Sequence, residues 1–291
     1  MKSSAGQTEH GLKEIAEHVQ DENPDVAKLL TAGRYVDNLL DSKVTKEEAV
    51  KLAEDTTEVL NRLSLLTKGF SFSGEDPKPE ETIDGISIEV NSMKWTTVVD
   101  TVEVKIPQLH FGTKRRGRVV GTDFFETGGN FAKMDSFVPV KLTRRMIVSK
   151  RASLYDSLGK LEPIKAKLKL DEREVVMLTT GWDDHVTPVI RTKWLKNFLL
   201  IEQLRGIRFN RARMPTTAVD TRMRLITLVD AALELIMMVT YCGFRLEDGS
   251  WSCQQLLGRS ALATGTIPRN ELSANSGGSN LACVVKRALP D

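Results

Sequence analysis

The sequence predicts an α+β chain in three parts, residues 1–100, 101–213 and 214–291. Three observations carry that expectation. Helical apolar spacing opened by a capping signal sits in the first part, and a long basic helical stretch fills the second. Three β-branched runs followed by one helix form the third. With 41% apolar residues over 291, the composition is that of an ordinary globular protein long enough for two domains.

Taken in order, Leu12 to Leu30 reads as helix with Pro24 as a break. "RYVDNLLDS" follows, a hairpin over 33–42 with Asp37-Asn38 between apolar residues, a pair suited to a type I′ turn. Over 45–66, Thr45 and Glu48 stand three apart as in a capping box, and Val50, Ala53, Leu60 and Leu63 recur at helical spacing. Strands are expected across 70–100, a short one in "GFSFSG" before a Pro/Gly/acid loop, then "ISIEVNSMKW" and "VVDTVEVKIPQL".

Gly112 to Asn130, with "FGTKRRGRVVG" and "TGGN", reads as an exposed loop or linker. Thr143 to Glu174 is helical and basic, and "GWDDHVTP" is a loop in which Asp183 and Asp184 form a helix N-cap pair. An amphipathic helix spans 190–205, and Arg208 to Pro215 is irregular, a boundary. "RLITLVDAA", "LIMMVTYCGFRL" and "SWSCQQLLGRSAL" are strands with "EDGS" turning between the last two, and Pro268 opens a helix weakened by Gly277 and Gly278. Three strands then a helix are the first half of an α+β sheet domain.

Several classes are excluded. The first twenty residues are polar and carry both charge signs, unlike a signal peptide. The most apolar run, Leu225 to Phe244, is broken by Asp230 and Glu234 and reads as a buried strand pair, not a membrane span. Three cysteines without C-x-x-C spacing and four scattered histidines support neither a disulfide framework nor a structural zinc site. A soluble protein of a reducing, intracellular compartment is the simplest expectation.

The net charge of +2 conceals polarity. Residues 1–100 carry eleven basic against twenty acidic groups, a net −9, while residues 141–213 carry seventeen against eight, a net +9. Such a segment suits a polyanion, but for charge content alone a solvated helical surface is the commoner reason.

Placed in this order, the motifs resemble the Pol polyprotein of BEL/Pao-type LTR retrotransposons from about residue 10 to the end. "RYVDNLLDSKVTKEEAVKLAEDTTEVLNRL" is similar to the Tyr-x-Asp-Asp hairpin and following helix of the reverse-transcriptase palm, and "DGISIEVNSMKW" to the strands after it. "KLTRRMIVSKRASLYDSLGKLEPIKAKLKL", with its Asp-x-x-Gly-x-Leu-x-Pro, resembles the block joining polymerase to RNase H, continued by "GWDD" and "WLKNFLLIEQLRGIRFNR". "RLITLVDAA" and "IPRNELSA" look like the first strand and first helix of the RNase H domain.

The resemblance implies two-metal phosphoryl transfer with Mg²⁺ as cofactor. It makes Asp37 the palm metal ligand with Tyr35 beside the primer end, and puts Asn38, neutral, where the second aspartate of the motif normally stands. It makes Asp230, at the end of its strand, and Glu271, in the first turn of the last helix, the RNase H carboxylates. Lys114, Arg115, Arg116, Arg118, Lys141, Arg144, Arg145, Lys150 and Arg151 become candidate backbone contacts, and Trp182, Trp194 and Trp251 core or interface anchors.

Implied partners are a template–primer or RNA–DNA hybrid and other parts of the Pol polyprotein, in the cytoplasm or a virus-like particle, without a membrane. Further carboxylates of both sites are expected upstream of Met1 and downstream of Asp291, so the chain alone is expected to lack polymerase activity. The alternative is a non-catalytic nucleic-acid-binding or structural protein of the same descent.

Overall fold

The computed structural model describes residues 4–35, 38–111, 113–115, 118–120 and 129–289, the side chains of 4, 5, 35, 113–115 and 118–120 excepted. The chain divides into two compact units, Met1–Asn91 with Trp95–Asp100, and Ser92–Lys94 with Thr101–Asp291.

In the first unit, α1 (Ser4–Val19) and α2 (Pro24–Thr31) pack on α3 (Lys46–Arg62). Pro24 opens α2, where its missing N–H costs nothing, so the expected break is a helix start. The capping box forms: Glu48 N donates to Thr45 Oγ1 at 3.2 Å and Thr45 N to the Glu48 carboxylate at 3.3 Å. Leu52, Ala53, Thr56, Val59 and Leu60 are the buried stripe of α3, so Val50 and Leu63 are not its core positions.

The hairpin is present as β1 (Arg34–Tyr35) and β2 (Asn38–Leu39), with Tyr35 opposite Asn38. Asn38 is therefore a strand residue rather than a turn centre. Gly33 seats this hairpin on α2, because a Cβ there would lie 2.6 Å from the Leu40 carbonyl and 2.7 Å from Leu29 Cδ1.

The strand expected near residue 70 is absent. Gly69 and Gly74 take φ values of +129° and +83°, which a strand does not hold. Gly74 N instead donates to the Thr97 carbonyl at 2.8 Å, and Thr97 Oγ1 to that of Glu75 at 2.6 Å. A short 3₁₀ turn, Pro79–Glu81, precedes β3 (Ile88–Val90) and β4 (Met93–Thr96).

In the second unit, β5 (Thr101–Val104) pairs antiparallel with β8 (Arg208–Asn210). Residues 208–210 are thus ordered strand, not an irregular boundary. The segment expected to be a loop holds an antiparallel hairpin, β6 (Thr113–Arg115) and β7 (Arg118–Val120). Four helices follow: α4 (Phe131–Phe137), α5 (Arg144–Ala152), α6 (Glu162–Leu178) and α7 (Pro188–Gln203). Their core centres on α7, with Trp194, Leu195, Phe198 and Ile201 buried against Met134, Leu142, Ile147, Leu168 and Val175. Phe111 meets Phe198 and Phe137 edge-on at 5.3 and 5.6 Å. Arg191 ties α7 to the end of α4 by donating to the carbonyls of Asp135, Val138 and Pro139.

The expected single basic helix is two, α5 and α6, split by residues 153–161. The Asp-x-x-Gly-x-Leu-x-Pro motif explains the split. Asp156 accepts from Lys160 N at 3.0 Å and Leu161 N at 2.8 Å, Leu161 is buried, and Pro163 opens α6. Gly159, at φ +68°, lies so close to the sheet that a Cβ would stand 2.0 Å from the Gly258 carbonyl oxygen.

The sheet is β9 (Arg224–Ala231), β10 (Leu235–Arg245) and β11 (Trp251–Leu262), antiparallel in the order β11-β10-β9. A register shift on β10–β11 at Thr240/Tyr241 marks a bulge. Gly249 (φ +83°) and Asp248, which accepts from Ser250 N at 2.9 Å, make the "EDGS" turn. Helix α8 (Ile267–Ala288) covers one face through Asn270, Ala274, Gly278, Leu281 and Val285. Its glycines are contact residues: a Cβ on Gly278 would lie 2.2 Å from Val229 Cγ1, and one on Gly277 2.4 Å from Met238 Sδ. Among the described residues, no helix is long and apolar enough to cross a membrane.

Candidate nucleic-acid interface

The basic block lies on α5 and α6. Thr143 caps α5, its hydroxyl accepting from Met146 N at 3.3 Å. Backbone bonds then zip the start of α5 to the loop before α7. Arg145 N donates to the Trp182 carbonyl at 2.8 Å, Arg144 N to that of Asp184 at 3.3 Å, and Val186 N to that of Leu142 at 3.0 Å. Asp184 Oδ2 closes the loop by accepting from Thr180 N at 2.9 Å and Gly181 N at 2.6 Å. The cap of α7 is Thr187, so Asp183 and Asp184 are loop residues and not an N-cap pair.

Trp182 is 50% exposed and Trp251 42%, whereas Trp194 is fully buried. Only Trp194 of the three is a core anchor. The Arg144 guanidinium sits 4.7 Å from the centre of the Trp182 ring and that of Arg145 at 5.8 Å, while Arg224 sits 4.5 Å from Trp251. Arg145 also makes a two-pronged bond to Asp183, at 2.8 and 2.9 Å. That bond raises the arginine pKa above its ordinary value and lowers the aspartate below its own.

The other α5 cations are less available. Arg151 grips Glu172 of α6 with two bonds of 2.5 and 2.8 Å, half-buried, which raises its pKa against the cost of burial. It is a clamp between two helices. Lys150 lies 5.5 Å from the Phe111 ring centre. Lys114, Arg115 and Arg118 belong to the β6–β7 hairpin by their backbone, and Arg116 lies outside the described residues.

Two buried ion clusters absorb much of the remaining charge. Glu162, 1% exposed, accepts from Lys169 at 2.6 Å, Ser260 N at 3.0 Å and Ser260 Oγ at 2.5 Å, with Lys165 at 3.2 Å. Burial alone would push its pKa up; the bonds from Lys169 and Ser260 outweigh that and hold it below the ordinary range. Asp171 accepts from Lys167 at 2.7 Å, Asn197 at 2.9 Å and Lys193 at 2.5 Å, and is lowered in the same way against its burial. The sequence carries a trace of both, since Glu162, Lys165 and Lys169 stand at i, i+3 and i+7 and Lys167 and Asp171 at i, i+4.

The RNase H carboxylates are not brought together. Along β9 side chains alternate, and Val229 and Ala231 pack with Ala274 of α8, so Asp230 leaves the sheet on the face opposite α8, on the strand farthest from the α6–β11 seam, and is exposed. Glu271 leaves α8 from an exposed flank, beside the sheet-facing Asn270. In the palm-like hairpin, Asn38 is placed, Tyr35 only by its backbone, and Asp37 lies outside the described residues. Among the described residues no cluster of three or more His, Cys, Asp or Glu could hold a metal ion. The carboxylates of the described residues therefore do not assemble a two-metal centre.

A protein-family model for the Pao retrotransposon-like RNaseH-like domain matches residues 143–290. The chain belongs to this family. The Pao match takes in α5, α6 and α7 as well as the sheet and α8, so the helical block and the strands form one RNase H-like region. The junctions agree: Gly258 N donates to the Leu158 carbonyl at 2.9 Å, and Lys169 reaches Ser260 across the same seam. No curated protein matches the chain.

Proposed function

We propose that this Pao-family chain is a segment of a Pol polyprotein that binds an RNA–DNA hybrid or template–primer and does not cut it alone. The observation carrying this reading is that Asp230 leaves the sheet on the face opposite α8 while Glu271 stands on α8 itself, set beside the exposed Arg145 of α5. Hydrolysis of a phosphodiester needs carboxylates converging on two ions, whereas binding needs only cations facing the backbone. The palm-like hairpin of the first unit belongs to the same reading as a reverse-transcriptase remnant, with Asp37 its inherited ligand.

The 291-residue chain, incubated with an end-labelled RNA–DNA hybrid and Mg²⁺, is expected to bind with an affinity that falls steeply with salt and to leave the hybrid uncut. Asp230→Ala is expected to bind as the parent does. Mg²⁺-dependent cleavage lost in Asp230→Ala would make the chain a nuclease and overturn the proposal. Absence of binding at low salt would overturn it as well.

A further inference from the structure

Trp182 is the most exposed of the described tryptophans. It is half exposed, it stands in a loop fixed by backbone bonds to α5, and two guanidinium groups lie against its ring. Arg144 has no carboxylate partner among the described residues, and its Nε is buried without a hydrogen bond, so the ring holds its guanidinium. Arg145 is held by Asp183, a pair whose members are 59% and 75% exposed. Exposed pairs of this kind are weak and exchange readily for another anion.

A rigid indole stacked with an arginine offers a π surface to an unpaired base, whether the base meets the ring or extends the column on the guanidinium plane. The arginine beside it supplies the charge for the neighbouring phosphate. A duplex keeps its bases stacked inside and cannot use such a platform.

We propose that Trp182, Arg144 and Arg145 form a stacking site for an unpaired nucleotide of single-stranded RNA or DNA, with Asp183 competing for the phosphate-binding arginine. This rests on the nucleic-acid reading above and adds to it a preference for a single strand at this place. Arg145 exchanges Asp183 for the phosphate, so Asp183 sets how tightly the strand is held. Trp251 differs in that its ring packs on Gly243 of the sheet, where a Cβ would stand 3.4 Å from Trp251 Cε3.

The test is fluorescence anisotropy of the full chain with end-labelled oligouridine, oligothymidine and an RNA–DNA hybrid, at low and moderate salt. Trp182→Leu is expected to weaken binding of both single strands about tenfold, within what one stacked base contributes. Hybrid binding should change less than about twofold, because a paired base cannot reach the ring. Trp182→Phe should restore most of the loss, since it restores an aromatic face to an apolar side chain of similar size. Asp183→Asn should tighten single-strand binding and steepen its salt dependence, the opposite of what loss of a merely structural ion pair would do.

Equal single-strand affinity in the parent and Trp182→Leu would overturn the stacking site, while leaving the nucleic-acid reading intact if the hybrid still binds. So would weaker binding by Asp183→Asn. Failure of the parent chain to bind either hybrid or single strand would instead remove the reading on which the site rests. A difference between oligouridine and oligothymidine would tell RNA from DNA as the strand preferred.

Discussion

Glu162 shows how a single side chain can look like surface in the sequence and act as a keystone in the structure. It stands in a lysine-rich helix, "EPIKAKLKL", where a lone acid reads as charge relief on a solvated face. In the fold it is buried at the seam of α6 and β11 and satisfied by Lys169, Lys165 and Ser260. Glu162→Gln keeps the size and removes the charge, leaving the ammonium of Lys169, 21% exposed, without its counter-ion. Losing one partner of a buried pair costs about 3 kcal/mol, far more than a surface pair contributes. Urea unfolding at neutral pH should show a loss of that order; a change below about 0.5 kcal/mol would mean that the lysines find water or another partner.

At the scale of elements, most helices and the three-strand meander were legible because their signals are local. The capping box of α3, the proline opening α8 and the alternation along β9 all lie within a few residues of what they specify. What sequence could not supply was the reason for glycines and motifs that serve a distant neighbour. Gly277 and Gly278 read as helix weakness, yet they admit Met238 and Val229 of the sheet. The Asp-x-x-Gly-x-Leu-x-Pro motif read only as a mark of descent, yet it docks the start of α6 on β11. The site was less legible than the fold, since Arg151 spends its charge on Glu172 across two helices, a pairing the sequence cannot supply, while Lys167 and Lys169 spend theirs on Asp171 and Glu162 of their own helix. Gly159→Ala tests the docking. With φ +68° and the Gly258 carbonyl 2.0 Å from the added methyl, the loop cannot keep its place. The Gly258 amide, which donates to Leu158, should lose hydrogen-exchange protection by at least tenfold while the α7 amides keep theirs. Unchanged protection at Gly258 would mean that the junction tolerates the methyl by a shift the geometry does not suggest.

For the whole molecule, the two units respond to pH through different groups. Glu162, Asp171, Asp183 and Asp248 are held below their ordinary carboxylate range, and all four belong to the second unit. A carboxylate whose folded pKa is depressed contributes stability that is present above its unfolded pKa and lost as the pH falls through the folded value. For Glu162 and Asp171 the ordinary values are 4.5 and 3.8, so their contribution is whole at neutral pH and drains away below about 4. In the first unit the shifted group with a buried share is Lys43. Burial works against its charge, but the hydrogen bond and charge of Asp25, with Asp41, raise its pKa above 10.5. A raised lysine contributes stability below 10.5 and loses it above; its partners Asp25 and Asp41 are 71% and 38% exposed, so the pair contributes little that acid can remove. Acid should therefore loosen the second unit first. In a pH series read by hydrogen exchange, peptides from α6 and α7 should lose protection below about pH 4 while those from α1, α2 and α3 retain theirs. Loss in α1–α3 at higher pH than in α6 and α7 would show that the buried clusters at Glu162 and Asp171 do not govern acid stability.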